Sequence, residues 1–152
     1  MRLPILLLPL ALLTGTLSAN AQDSAGVKTY TVVDGAIDEP LATPPGIAAD
    51  GRTIMTGKAL GNCLACHKIT ALNTEAFQGE MGPVLDGVAT RWNEGQLRLI
   101  VSNAKMMFPD TIMPAFYRNE GLNRVRPELA GKPILTARQV EDVVAFLKTL
   151  TK

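Results

Sequence analysis

Five consecutive residues, Cys63-Leu64-Ala65-Cys66-His67, constrain this chain more than any other feature. The chain contains two cysteines and one histidine, and all three stand in this run. Cys-x-x-Cys-His is the pattern of a c-type haem attachment site. Two thiols add across the two vinyl groups of a haem, and the histidine that follows places an imidazole nitrogen on the iron. Other uses of a Cys-x-x-Cys pair find no support elsewhere in the chain. A thioredoxin-like redox motif needs a βαβ context, and no β-branched run of strand length precedes Cys63. A structural zinc site usually takes four ligands, and no further Cys or His exists to complete one. A disulfide within the motif would constrain little. The run implies a haem protein that handles electrons.

The start of the chain fixes the compartment. Arg2 precedes an apolar run from Leu3 to Leu13, and small residues follow up to Ala19-Asn20-Ala21. That order is a secretory signal peptide ending in an A-x-A cleavage site. The run is short and interrupted by Pro4 and Pro9, whereas a membrane-spanning helix needs about 20 apolar residues. Residues 1–21 are therefore expected to be removed after Ala21, leaving no membrane anchor and a periplasmic protein. Residues 22–152 suit one domain. Losing Arg2 from 15 basic residues leaves as many basic as the 14 acidic ones. A formal charge near zero excludes generic nucleic-acid binding.

The charge is unevenly spread. Between Gln22 and Asp50, five acids (Asp23, Asp34, Asp38, Glu39 and Asp50) face Lys28 alone. Arg118, Arg124, Arg126 and Lys132 cluster late in the chain. That group is either a patch that steers an acidic partner or a solvated loop.

Residues 22–50 show no helical periodicity and hold Gly35, Pro40 and Thr43-Pro44-Pro45-Gly46. They read as an extended arm, either disordered or laid along a neighbouring surface. Tyr30 to Val33 is the one piece that reads as an edge strand. The first helix is expected from a cap at Asp50 to about Leu60, weakened by Gly57. A second fits Glu94 to Lys105, with Asn93 as N-cap and Gln96 three residues on. In the last, Thr136-x-x-Gln139 reads as a capping box. Val140, Val143, Val144 and Leu147 then follow at helical spacing. The remainder is irregular and rich in Gly and Pro, more than a small domain usually holds. A large apolar cofactor gives such loops something to pack on and supplies core that a small chain lacks.

His67 supplies one axial ligand. The second must come from Met55, Met81, Met106, Met107, Met113 or another donor. Most buried methionines are core filler. Met113 stands out because Pro114 pushes it towards extended backbone, so its thioether projects from a loop. A His/Met pair stabilises reduced iron and fills both axial positions, which favours electron transfer over chemistry at the iron. Gly82-Pro83 is either a plain turn or the source of a carbonyl that orients His67.

The order of these features resembles class I cytochrome c: a leading helix, Cys63-x-x-Cys66-His67, Gly82-Pro83, Met113-Pro114 and an amphipathic final helix. The resemblance implies a mainly α fold around one covalently bound haem c, with Gly51 and Phe146 at the crossing of the first and last helices. It departs from the pattern before the haem motif. The segment from Gly51 to Cys63 is long, and Met55 and Ala59 stand where a large aromatic is usual. Longer strings are similar to the SoxX family: Gly61 to His67, Pro109 to Tyr117, Gly121 to Val125 and Leu135 to Leu147. SoxX proteins are the small monohaem subunits of SoxAX complexes.

This resemblance implies that Cys63 and Cys66 hold the haem and that His67 and Met113 ligate its iron. It also implies that the Pro83 carbonyl receives the other His67 nitrogen. Residues 51–152 would form the cytochrome domain and residues 22–50 an arm that wraps SoxA. The implied complex joins thiosulfate oxidatively to a carrier cysteine of SoxYZ, an L-cysteine S-thiosulfotransferase activity. The sulfur chemistry lies on SoxA, so no residue here is catalytic. Electrons leave through SoxX to a soluble cytochrome c. Three other readings stand beside it: a free monohaem carrier serving an oxidase, a haem enzyme or gas sensor with an open iron, and a haem-free thiol protein.

Overall fold

The computed structural model describes residues 26–152. The signal peptide over 1–21, its cleavage after Ala21, and arm residues 22–25 lie outside the described residues. Among the described residues, four α-helices carry the fold: α1 (Ala48–Thr56), α2 (Val88–Arg91), α3 (Glu94–Asn103) and α4 (Ala137–Leu147). Single 3-10 turns occur at Cys63–Ala65, Thr70–Leu72, Ala104–Met106 and Pro127–Leu129. Among the described residues, no helix is long and apolar enough to cross a membrane.

α3 and α4 begin where their capping residues predict. Asn93 Oδ1 accepts from Gln96 N at 2.9 Å, and Gln96 Oε1 accepts from Asn93 N at 3.0 Å. Thr136 and Gln139 exchange the same two bonds at 3.2 and 2.9 Å. Each pair satisfies two N–H groups that a helix start leaves orphaned.

α1 departs from expectation. Its N-cap is Ile47, and Asp50 lies inside the first turn without capping. The carboxylate that meets this end is Asp142 of α4, whose Oδ1 accepts from Ile47 N at 2.8 Å. α1 ends at Thr56 rather than near Leu60, because Gly57 leaves the helical region (φ −71°, ψ 116°). α3 likewise stops at Asn103, and a 3-10 turn carries Lys105 and Met106.

α1 crosses α4 backbone to backbone. A Cβ on Gly51 would lie 1.9 Å from Asp142 O and 2.9 Å from Phe146 Cβ. Only glycine permits that approach, and it sits where the resemblance places the crossing. Ile54 and Met55 of α1, Leu97, Leu99 and Val101 of α3, and Val140, Val143, Val144 and Leu147 of α4 form one core. Met55 is buried there, whereas Ala59 is exposed. Each fully buried aliphatic side chain of this size contributes about 1.5–3 kcal/mol.

The edge strand expected over Tyr30 to Val33 does not form. Asp34 and Gly35 take φ of 48° and 73°, and Val33 and Ala36 exchange both backbone hydrogen bonds across that tight turn. The arm then lies on its own domain. Ile37 and Leu41 enter the core, Lys28 N donates to Tyr117 Oη at 2.7 Å, and Ile37 N donates to Gly95 O at 3.0 Å.

A buried ion pair holds the arm down. Arg98 Nε donates to Glu141 Oε1 at 2.8 Å and Nη2 to Oε2 at 3.1 Å. Nη1 reaches Ile37 O at 2.7 Å, and Leu41 N donates to Glu141 Oε1 at 2.7 Å. Glu94 extends the network to the surface, pairing with Arg98 and Lys148. Those two cations hold the Glu94 carboxyl below its ordinary range, with the Lys148 hydrogen bond the largest cause.

Candidate haem site

The chain leaves α1, turns through Asn62 in the left-handed region (φ 48°) and enters the one-turn helix Cys63–Ala65. Cys66 N and His67 N both bond Cys63 O, at 3.1 and 3.0 Å. Cys63, Cys66 and His67 are thus wound about a single turn, with Leu64 buried beneath. Burial pushes the Cys63 thiol up to about 12, its backbone N–H opposing and Cys66 adding to the rise. A thiol so placed faces apolar surroundings of the kind a thioether to a porphyrin also occupies.

His67 Nδ1 lies 2.7 Å from Pro83 O. A carbonyl oxygen only accepts, so Nδ1 carries the proton and Nε2 presents its lone pair. Beside the ring stands Gly82. A Cβ there would lie 2.4 Å from His67 Cε1 and 2.8 Å from Nε2. Any side chain at this position would displace the imidazole.

The loop that brings Gly82 and Pro83 here is tied to the motif by residues that sequence reasoning missed. Gly79 N donates to Leu64 O and Gly82 N to Cys66 O, both at 2.8 Å. Gln78 accepts from Ile69 N at 2.6 Å and donates to Leu72 O at 2.7 Å. Beyond Pro83, Arg91 donates to Val84 O and Asp86 O. Thr70 donates to Asp86 through its hydroxyl at 2.5 Å and its N–H at 2.9 Å. That hydroxyl, more than the N–H, holds the Asp86 carboxyl below the usual range. A Gly-Pro turn marks this loop in sequence, but no spacing rule pairs Gln78 with Ile69.

The methionines separate by environment. Met55 is core, and Met81 and Met106 are exposed. Met113 is partly buried and packs against the core. Its N–H donates to Thr111 Oγ1 at 3.2 Å, and Lys105 Nζ donates to Thr111 O at 2.5 Å. Met113 therefore rides on irregular chain fastened to the end of α3.

These residues fit a haem. A fixed imidazole tautomer leaves Nε2 for iron, the two cysteine side chains share the turn before it, and the ring packs directly on the bare backbone of Gly82. The family model for cytochrome c matches residues 48–151. The chain belongs to the cytochrome c family. Membership implies covalently bound haem and agrees with the mainly helical fold. Among solved structures, the SoxXA of P. pantotrophus matches with 48% sequence identity and a TM-score of 0.78. The match covers 84% of this chain and 98% of that chain. No curated protein matches. The match supports the likeness to SoxX drawn from the sequence strings.

Proposed function

We propose that this chain is the monohaem electron-transfer subunit of a SoxAX-type complex. The observation that carries the reading is 48% identity to a chain of SoxXA over nearly the whole of that chain. Cytochrome c membership supports electron transfer, and the SoxX resemblance supports a role in thiosulfate oxidation. After removal of residues 1–21 in the periplasm, an arm (22–50) and a cytochrome domain (51–152) remain.

Cys63 and Cys66 would hold one haem c through thioethers, and the His67 imidazole and Met113 thioether would bind its iron. The haem supplies a one-electron Fe(III)/Fe(II) couple when bound. The chain's own residues set that couple. The Pro83 carbonyl holds the Nδ1 proton of His67 and raises the basicity of Nε2. A thioether at Met113 favours the reduced state. With His67 and Met113 both engaged in this way, the chain would serve electron transfer, and the sulfur chemistry would lie on SoxA. SoxYZ and a soluble cytochrome c are the transient partners.

The experiment isolates tagged mature protein from the periplasm under mild conditions and stains all components for covalent haem. The expected result is a second haem-bearing chain in equal amount and haem reduction that requires both thiosulfate and SoxYZ. A lone haem protein indifferent to both would instead establish a free carrier serving an oxidase.

A further inference from the structure

Met113 is held differently on its two sides. After Pro114 the chain is buried at Ala115, Phe116 and Tyr117. Tyr117 N donates to Ser102 O at 3.0 Å, and Leu135 N donates to Phe116 O at 2.9 Å. The Tyr117 hydroxyl accepts from Lys28 N at 2.7 Å, and its ring centroid lies 6.3 Å from that of Tyr30. This side belongs to the core, and buried, hydrogen-bonded chain opens only with the core.

The preceding side depends on one residue. Among the described residues, the hydrogen bonds that tie 109–113 to the rest of the chain are both made by the Thr111 backbone. Thr111 N donates to Phe108 O at 3.0 Å, and Thr111 O accepts from Lys105 Nζ at 2.5 Å. The Thr111 hydroxyl oxygen faces inward along the loop and accepts from Met113 N at 3.2 Å. A threonine bond of this local kind fixes the backbone two residues on, and Pro114 restricts Met113 from the other side.

Lys105 is well placed to brace this loop. It stands on the single turn Ala104–Met106 that continues α3. Met107 N and Phe108 N both bond Ala104 O, at 3.0 and 2.8 Å. A surface lysine usually leaves its ammonium in water. Here the ammonium is turned onto a carbonyl in a charge-assisted bond, which spans six residues and closes the loop on its own base.

The geometry points to Lys105 and Thr111 as positioning residues for Met113: the ammonium pins Thr111, and the Thr111 hydroxyl pins the backbone of Met113. They act through that backbone and not on the iron. A neutral thioether is a weak donor, so its hold on iron depends on its effective concentration there, which a braced loop raises. The inference rests on the proposed function, in which Met113 binds the iron.

The test titrates imidazole into the oxidised holo-protein and its variants. Imidazole reaches the iron by displacing the Met113 thioether, and loss of the far-red sulfur-to-iron absorption reports the displacement. Thr111→Val removes the hydroxyl, and Lys105→Ala removes the ammonium. Each should bind imidazole about five- to tenfold more tightly than wild type. Thr111→Ser restores the hydroxyl and should return to wild-type affinity. Met113→Ala should bind more tightly than all of them. Urea unfolding followed by far-UV circular dichroism runs alongside, because a merely structural role would move the urea midpoint without moving imidazole affinity. If Thr111→Val fails to load haem, Lys105→Ala decides alone. Wild-type imidazole affinity in either variant, or a Thr111→Ser that behaves as Thr111→Val, would overturn the inference while Met113 stays the ligand. Wild-type affinity in Met113→Ala would overturn the assignment of Met113 as ligand and the inference with it.

Discussion

Truncating Glu141 to alanine tests whether the arm is a structural part of the domain. Arg98 and Glu141 side chains are 2% and 4% exposed, and the carboxylate accepts from Arg98 Nε, Arg98 Nη2 and Leu41 N. Glu141→Ala leaves a buried guanidinium with Ile37 O, a longer bond to Asp38 O and the half-exposed Glu94 carboxylate as its remaining partners. It also strands the Leu41 N–H. Breaking one side of a buried pair costs about 3–5 kcal/mol, and an orphaned buried N–H about 1–3 kcal/mol. Glu94 still compensates part of the charge, so the lower end applies, about 3–4 kcal/mol in all. Against a total stability of about 5–15 kcal/mol, this should lower Tm by about 10 °C. Urea unfolding of the holo-protein, followed by far-UV circular dichroism, measures the loss. Arg98→Met/Glu141→Leu removes both charges and should be less destabilised than Glu141→Ala, because no unpaired ion remains. A loss below about 1 kcal/mol in Glu141→Ala, or a double variant worse than the single one, would refute the reasoning.

Three further outcomes are expected. Met113→Ala should open one axial position, replacing the low-spin visible spectrum with one that responds to added carbon monoxide; an unaltered low-spin spectrum would remove Met113 as the ligand. Gly82→Ala drives a Cβ into the His67 ring and should lower covalent haem per chain, read by haem staining against protein; full haem loading with a normal spectrum would show that the ring has room to move. Glu94 and Asp86 have folded-state values below their ordinary 4.5 and 3.8. Their stabilisation is full above those values and is lost as pH falls through the folded ones. Glu94→Gln should therefore flatten the decline of stability below about pH 4.5, and an acid-unfolding profile identical to wild type would contradict the role of Lys148.

The sequence carried the parts of the fold that are decided locally. Both capping boxes and the α4 stripe were legible because their partners stand within one turn. The Cys63–His67 motif was legible for the same reason. The start of α1 was misread at Asp50 because the carboxylate that meets Ile47 belongs to Asp142, at the far end of the chain. Tyr30 to Val33 looked like a strand by composition, but an edge strand needs a neighbour, and the turn at Asp34-Gly35 supplies none beyond Ala36. Nothing in the spacing of Arg98 or Glu141 along their helices marks them for burial. Only the arm, laid over both, buries them. Pro83 was accessible as a candidate through Gly82-Pro83, whereas Gln78 and Arg91 act through backbone carbonyls that no side-chain pattern advertises.

The crossing of α1 on α4 has a consequence in time. Synthesis proceeds from the N-terminus, so the arm and α1 emerge first and α4 last. Leu41 and Ile47 wait for Glu141 and Asp142, which arrive 100 and 95 positions later. Until then neither the arm nor the start of α1 has its partner, and the domain cannot close. The Cys63–His67 turn meanwhile stands on an open chain, with Cys63 still in water rather than in the apolar setting that suppresses its thiolate once folded. Joining the two ends of the chain is thus the step that closes the domain, and the Cys63–His67 turn is made well before it.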